Sequence, residues 1–303
     1  MKRTLILLIA FTSFGLSAQR TAEDYFNRGI SKSDLKNYYG AIRDFTKAIK
    51  LRPNVSIAYF NRGISKENLQ DYYGAIADYT KAIEIFPDYS EVYFNRGYLK
   101  YVLLDYEGAI ADYTKVIELE PNYEDAYYNR GNSKSNFKHY YGAIVDYTKV
   151  IELNPNYEEA YYSRGYSKYV LKYYYGAIAD FTKVIELDPT YVRAYYNRAI
   201  SKAILKDYEG SIADDTKALE LDPNYFIAYY NRGLSKHKLK DYYGAIADYT
   251  KAIELSPYYI SAYVNRGISK ENLVDIKGAC RDWKKAEKLG SKRTANWVRD
   301  QCN

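Results

Sequence analysis

The chain has 303 residues, of which 47% are apolar, with 44 basic and 38 acidic side chains and a formal charge of +6. That charge is mild and evenly spread, whereas a phosphate-tracking surface needs a clustered basic stripe, so no nucleic-acid partner is expected. Two histidines far apart in sequence, His139 and His237, give neither a metal pair nor a base beside a nucleophile. The glycines are singly spaced and form no phosphate-cradling loop, so no catalytic residue, cofactor or metal is expected.

The first residues, MKRTLILLIAFTSFGLSAQ, combine a basic start, an apolar run and small residues before a polar stretch. This is the layout of a secretory signal peptide spanning 1–18 and cleaved near Ala18. The apolar run from Thr4 to Leu16 falls short of the ~20 residues a membrane span needs, so the processed chain is expected not to cross a membrane. Losing Lys2 and Arg3 lowers the net charge by two. Export places the protein in the periplasm or the medium, between which the sequence does not choose.

From Ala22 onward the chain repeats itself. All seven prolines, Pro53, Pro87, Pro121, Pro155, Pro189, Pro223 and Pro257, fall at a single interval of 34 residues. Aligned on them, eight units follow without insertion: 22–55, 56–89, 90–123, 124–157, 158–191, 192–225, 226–259 and 260–293. Within a unit, apolar residues at helical spacing predict two short helices, as in Tyr59, Gly63 and Lys66 and then Ala75, Ile76, Tyr79, Ala82 and Ile83. Asn37, Asp71, Asp105, Asp207, Asp241 and Asp275 mark the break between the two helices as side chains able to cap the second. Proline stops the second helix from running on. After the eighth unit, residues 294–303 (TANWVRDQCN) predict a short helix that covers the open end of the stack.

The recurring pattern of Tyr at the fourth position, Gly at the eighth, Ala at the twentieth and Pro at the thirty-second resembles the tetratricopeptide repeat family, over about nine tenths of the chain. The aromatic is Tyr25, Tyr59, Tyr93, Tyr127, Tyr161, Tyr195, Tyr229 or Tyr263. The resemblance implies an all-α, right-handed superhelical solenoid of eight helix-turn-helix repeats with a C-terminal capping helix, its first helices lining the inner wall. With the leader, it implies a secreted, bacterial-type protein of that family. The implied function is a non-enzymatic scaffold that binds an extended peptide or partner protein in the concave groove. The alternative is a carbohydrate-binding solenoid whose groove tyrosines stack on sugar rings. Neither the partner's identity nor the oligomeric state can be read.

One departure from the family is systematic. Every unit has Arg at its seventh position, where the family usually has a leucine-like residue, and Asp at its twenty-third, as in Arg62 and Asp78. Each Arg is expected to reach an Asp of its own or the preceding unit in a two-pronged contact that sets stacking register. Lysine recurs at the eleventh position, from Lys32 to Lys270, and is read as a stem along the core with an exposed amine.

Asn27, Asn61, Asn95, Asn129, Asn197, Asn231 and Asn265 occupy the sixth position. As in some members of the family, these amides are candidates for binding a peptide backbone. Alternatively they bond within their own hairpins. The fifth, ninth and twelfth positions share a face and are all aromatic in two units, as Phe94, Tyr98 and Tyr101 and as Tyr162, Tyr166 and Tyr169. The ninth and twelfth are read as ligand contacts, while packing between first helices competes for the fifth. The sixth unit departs three times, with Ala199, Ser211 and Asp215 for Gly, Ala and an aromatic. Asp215 must reach solvent, find a cation or mark a weak joint. Finally, an oxidising compartment favours a Cys280–Cys302 disulfide over two buried thiols.

Overall fold

The structure, a computed structural model, describes residues 20–302, so the expected signal peptide at 1–18 lies outside the described residues. Among the described residues there are seventeen helices and no strand. They fall into two compact units that divide after Asp105. The first holds α1 (Ala22–Asp34), α2 (Tyr38–Leu51), α3 (Ser56–Asn68), α4 (Tyr72–Ile85) and α5 (Ser90–Val102). The second begins with α6 (Tyr106–Leu119), α7 (Glu124–Asn136), α8 (Tyr140–Leu153), α9 (Glu158–Val170), α10 (Tyr174–Leu187) and α11 (Val192–Ile204). It continues with α12 (Tyr208–Leu221), α13 (Phe226–Lys238), α14 (Tyr242–Leu255), α15 (Ile260–Asn272), α16 (Ile276–Lys288) and α17 (Lys292–Gln301).

The turn inside each repeat is built by two adjacent residues. The first adopts a left-handed backbone and is not glycine: Lys36, Gln70, Lys138, Lys172, Lys206, Lys240 and Val274 all have φ between 58° and 67°. This conformation, costing about 1 kcal/mol for a side chain, lets the following N–H return to the helix it has just left, as Asn37 N does to Lys32 O at 2.8 Å. The second residue caps the next helix. Asn37, Asp71, Asp207, Asp241 and Asp275 each accept a hydrogen bond from the glycine N–H three residues on, as expected. His139 and Tyr173 stand at this place before α8 and α10 and give no side-chain cap.

Within each repeat the core is a ring beside small residues. At the twenty-fourth position Phe45, Tyr79, Tyr147, Phe181, Tyr249 and Trp283 are buried against Ala41, Ala75, Ala143, Ala177, Ala245 and Ala279 of the same helices. The glycine of NRG lies beneath the ring: a Cβ on Gly63 would stand 2.5 Å from Tyr79, and one on Gly131 2.7 Å from Tyr147. With the ring in place the hairpin closes only because that position has no side chain.

The sixth repeat changes both partners at once. Asp215 replaces the ring, and Ala199 replaces the glycine it would have covered. Of the outcomes foreseen for Asp215, solvent is excluded, since the residue is 0% exposed, and neither carboxyl oxygen has a hydrogen-bond partner. Ser211, the third departure, bonds Ser235 Oγ at 3.0 Å.

At the C-terminal end α17 packs Trp297 on Trp283 with ring centroids 5.1 Å apart and buries Thr294. It starts two residues earlier than the expected cap, with Ser291 at its N-terminal boundary. Cys280 and Cys302 are joined by a disulfide with Cα atoms 5.4 Å apart.

Candidate functional site

A binding face is defined as much by the side chains consumed internally as by those left over. The arginines are consumed. In the fifth repeat Arg164 donates from Nε to Asp180 Oδ2 at 3.0 Å and from Nη2 to Oδ1 at 2.7 Å. The same two-pronged pair joins Arg28 to Asp44, Arg62 to Asp78, Arg130 to Asp146, Arg198 to Asp214, Arg232 to Asp248 and Arg266 to Asp282. The aspartate is therefore that of the same repeat. The neighbour contributes a threonine instead: Thr148 Oγ1 donates to Ile144 O and accepts from Arg164 Nη1 at 3.1 Å. Each guanidinium also lies over the tyrosine three residues before it, Arg164 at 5.5 Å from the Tyr161 ring.

The lysine row belongs to the same network, which corrects the expectation of exposed amines. Lys66, Lys134, Lys168, Lys202 and Lys236 each place Nζ 2.8 Å from the second carboxylate oxygen of the aspartate that the arginine holds. One nearly buried carboxylate thus receives two cations. Hydrogen bonding from Arg28, reinforced by Lys32, holds the Asp44 carboxyl down to about 2 against the desolvation that opposes it.

The asparagine row is partly consumed too. Asn197 Nδ2 donates to the Tyr162 hydroxyl and to Arg193 O, and Asn265 Nδ2 to the Tyr230 hydroxyl at 2.9 Å. Asn231 bonds Tyr196, Asn95 bonds Tyr79, and Asn61 Nδ2 reaches Ile57 O. These amides link a ring of one repeat to the next or turn back on their own helix. Asn27 is exposed and Asn129 half-buried.

Tyr162, at the fifth position, is a packing residue. Its ring lies 5.8 Å from Phe181 and 5.2 Å from Tyr191, and burial raises its phenol above the ordinary range. Phe60, Tyr128 and Tyr230 repeat the arrangement with the ring at their own twenty-fourth position. Phe94 is half-buried on α5.

The ninth and twelfth positions differ. In the first unit Tyr98 is 47% exposed on α5 with Tyr101 one turn on and half-buried. In the second unit Tyr166 is 43% exposed, its ring 6.4 Å from Tyr169, which in turn packs 5.9 Å from Tyr174. Beyond them on the same unit, α11, α12 and α13 enclose a cleft of about 280 Å³, lined by Ile200, Ala203, Ile204, Tyr208, Ser211, Asn231, Leu234, Ser235 and Lys238.

His237, at the twelfth position, is hydrogen-bonded through Nδ1 to Ser269 Oγ at 2.8 Å. No cluster of three or more metal-ligating side chains occurs among the described residues. A feature missed in the sequence is the row Tyr39, Tyr73, Tyr141, Tyr175 and Tyr243 at the start of second helices, all strongly exposed. Their common place, one residue before the glycine near the start of the second helix and away from the hairpin's apolar spacing, is the available signal.

Family models described as tetratricopeptide repeat match residues 22–55, 56–89, 124–157, 158–191, 192–225 and 226–259, and one described as TPR repeat matches 105–134. No curated protein matches the chain. Among solved structures, MamA is 28% identical over 52% of this chain and 93% of its own, with a TM-score of 0.52. YrrB, described as a TPR protein with an unusual peptide-binding site, is 25% identical over 61% of this chain and 95% of its own, with a TM-score of 0.56. The C-terminal part of a TPR repeat-containing protein from Cytophaga hutchinsonii is 21% identical over 79% of this chain and 98% of its own, with a TM-score of 0.68, and supports the fold alone.

Proposed function

Since the chain belongs to the tetratricopeptide repeat family, we propose that it is a non-enzymatic scaffold that holds an extended peptide or partner protein on the face of its first helices. Tyr166 carries the reading. It stays 43% exposed on the face of the fifth, ninth and twelfth positions, while the arginines, lysines and several of the asparagines of the first helices are spent on internal bonds. An exposed aromatic beside half-buried Tyr169 gives a peptide apolar anchorage at small entropic cost, because a tyrosine has few rotamers to lose. YrrB, with its peptide-binding site, supports the reading by similarity. The protein works outside the cytoplasm, as the leader-like residues MKRTLILLIAFTSFGLSAQ suggest.

The test is selection of peptide ligands from a displayed library, followed by affinity measurement against a variant with Tyr98, Tyr101, Tyr166 and Tyr169 changed to Ser. Selected peptides are expected to lose about tenfold or more in affinity. Unchanged affinity would falsify the assignment of this face. A second reading, carbohydrate recognition, draws on Tyr141, Tyr175 and Tyr243, whose exposed rings lie at second-helix starts. A glycan array in which Tyr175→Ser abolishes every signal while peptides still bind would favour it.

A further inference from the structure

The cleft between the sixth and seventh repeats lies at the far end of the path that a ring takes in other repeats. In the second repeat the Tyr79 hydroxyl donates to Glu67 at 2.5 Å and bonds Asn95. In the fourth, the Tyr147 hydroxyl donates to Asn132 at 2.8 Å. A phenol rooted at the twenty-fourth position thus ends among the ninth and twelfth positions of its own repeat and the sixth of the next. In the sixth repeat those positions are Ile200, Ala203 and Asn231, and all three line the cleft. Asp215 stands at the root of that path and is too short to fill it.

We propose that this cleft is an anchor site for a phenol ring, filled by a tyrosine side chain of a bound peptide that restores the missing member of the core. The size agrees, since an apolar cavity of about 150 Å³ is enough for benzene and the cleft has about 280 Å³. The walls suit a ring: Ile200, Ala203 and Leu234 are apolar, while Asn231, Ser211 and Ser235 supply polar groups. Tyr196, whose counterparts pack on two rings, packs on Tyr225 at 5.2 Å and lacks the second ring in its own repeat. Behind Ser211, one turn along the same face of α12, Asp215 holds two buried oxygens that bond nothing. Asp215 itself does not line the cleft, so the polar partners of a phenol held there are Asn231, Ser211 and Ser235. The site rests on the proposed function only for the source of the ring.

The experiment uses the full chain and p-cresol, the side chain of tyrosine as a free molecule, titrated by ligand-observed NMR. The control restores the pattern of the other repeats with Ala199→Gly, Ser211→Ala and Asp215→Tyr together, which fills the cleft from within and is expected to fold at least as stably. Saturable p-cresol binding by the natural chain, weakened about tenfold or more in the refilled variant, is the expected result. Absence of saturable binding by the natural chain, or equal binding by the refilled variant, overturns the site. In a second arm a short peptide with a central tyrosine is compared with its alanine counterpart. Preference for the tyrosine peptide, lost in the refilled variant, supports the peptide source. Binding of p-cresol without that preference overturns the peptide source and leaves the cleft assignment standing.

Discussion

Truncating Asp180 to alanine removes one carboxylate and strands two cations. Asp180 is 4% exposed and accepts two bonds from Arg164 and one contact from Lys168, whose side chains are 16% and 22% exposed. Breaking a fully dry pair in this way costs about 3 to 5 kcal/mol, while exposed pairs contribute about 0 to 1 kcal/mol. The cations here retain some access to water, so they recover part of their hydration when the carboxylate goes. The expected loss for Asp180→Ala is therefore at the lower end of the dry range, about 3 kcal/mol. Lys168→Met leaves the two-pronged bond intact and is expected to cost about 1.5 kcal/mol, the lower end for a hydrogen bond to a charged group, since the lysine keeps some access to water. Replacing the whole triad by Arg164→Met, Lys168→Met and Asp180→Leu removes every stranded charge and is expected to fall within about 1 kcal/mol of the natural chain.

The ordering matters more than any single value. Urea unfolding gives the overall loss, and hydrogen exchange of α9 and α10 locates it, because a stacked array opens locally rather than as one two-state body. A loss below about 0.5 kcal/mol for Asp180→Ala would place the pair among solvated surface contacts. A triad replacement as damaging as Asp180→Ala alone would mean that the network's attraction, and not the cost of stranding its members, holds the repeat.

Two further outcomes follow from buried or bridged groups. Desolvation raises the Asp215 carboxyl well above its ordinary range, with Arg232 opposing the shift and Asp214 and Asp248 adding to it. Its stabilising contribution is thus fully present below about pH 4, the unfolded value, and is lost as pH rises through the higher native one. Between acid and neutral pH the natural chain should lose melting temperature relative to Asp215→Asn; parallel curves would show that the carboxyl titrates in the fold as it does in the unfolded chain. The Cys280–Cys302 bridge closes a separation of 22 residues, worth about 3 kcal/mol by chain entropy. Reduction is expected to raise exchange in α17 and to alter Trp297 emission, whereas alkylation of both thiols in unfolded, unreduced protein would show that the bridge is not formed.

The hairpins were legible because three independent signals, the proline, the cap residue and the apolar spacing, recur at one interval and agree. The Arg–Asp pairs were legible for a related reason: both members are charged, both appear in every repeat, and always 16 residues apart, as in Arg164 and Asp180. Lys168 carries the same information at a separation of 12, yet a lysine on a helix is ordinarily a solvated side chain, so its constancy in sequence suggests surface. The ring over the glycine was legible in principle from the pairs Gly63 with Tyr79 and Gly131 with Tyr147, one position beyond each Arg–Asp pair. What hid it was that a ring and a glycine show no complementarity of charge; only the shape of the hairpin makes them partners.

The same shape turns three apparently separate changes in the sixth repeat into one. Once Asp215 replaces the ring, a methyl group at Ala199 no longer meets an aromatic face, and Ser211 finds Ser235 within hydrogen-bond distance. Tolerated drift accounts for a methyl group entering space released by a lost ring. It accounts less well for a carboxyl kept at 0% exposure with two unpaired oxygens, because asparagine, alanine or leucine would be cheaper there at neutral pH. A residue that costs stability where it stands is expected to be offset by something it does, and at Asp215 the neighbouring cleft is where that offset is available.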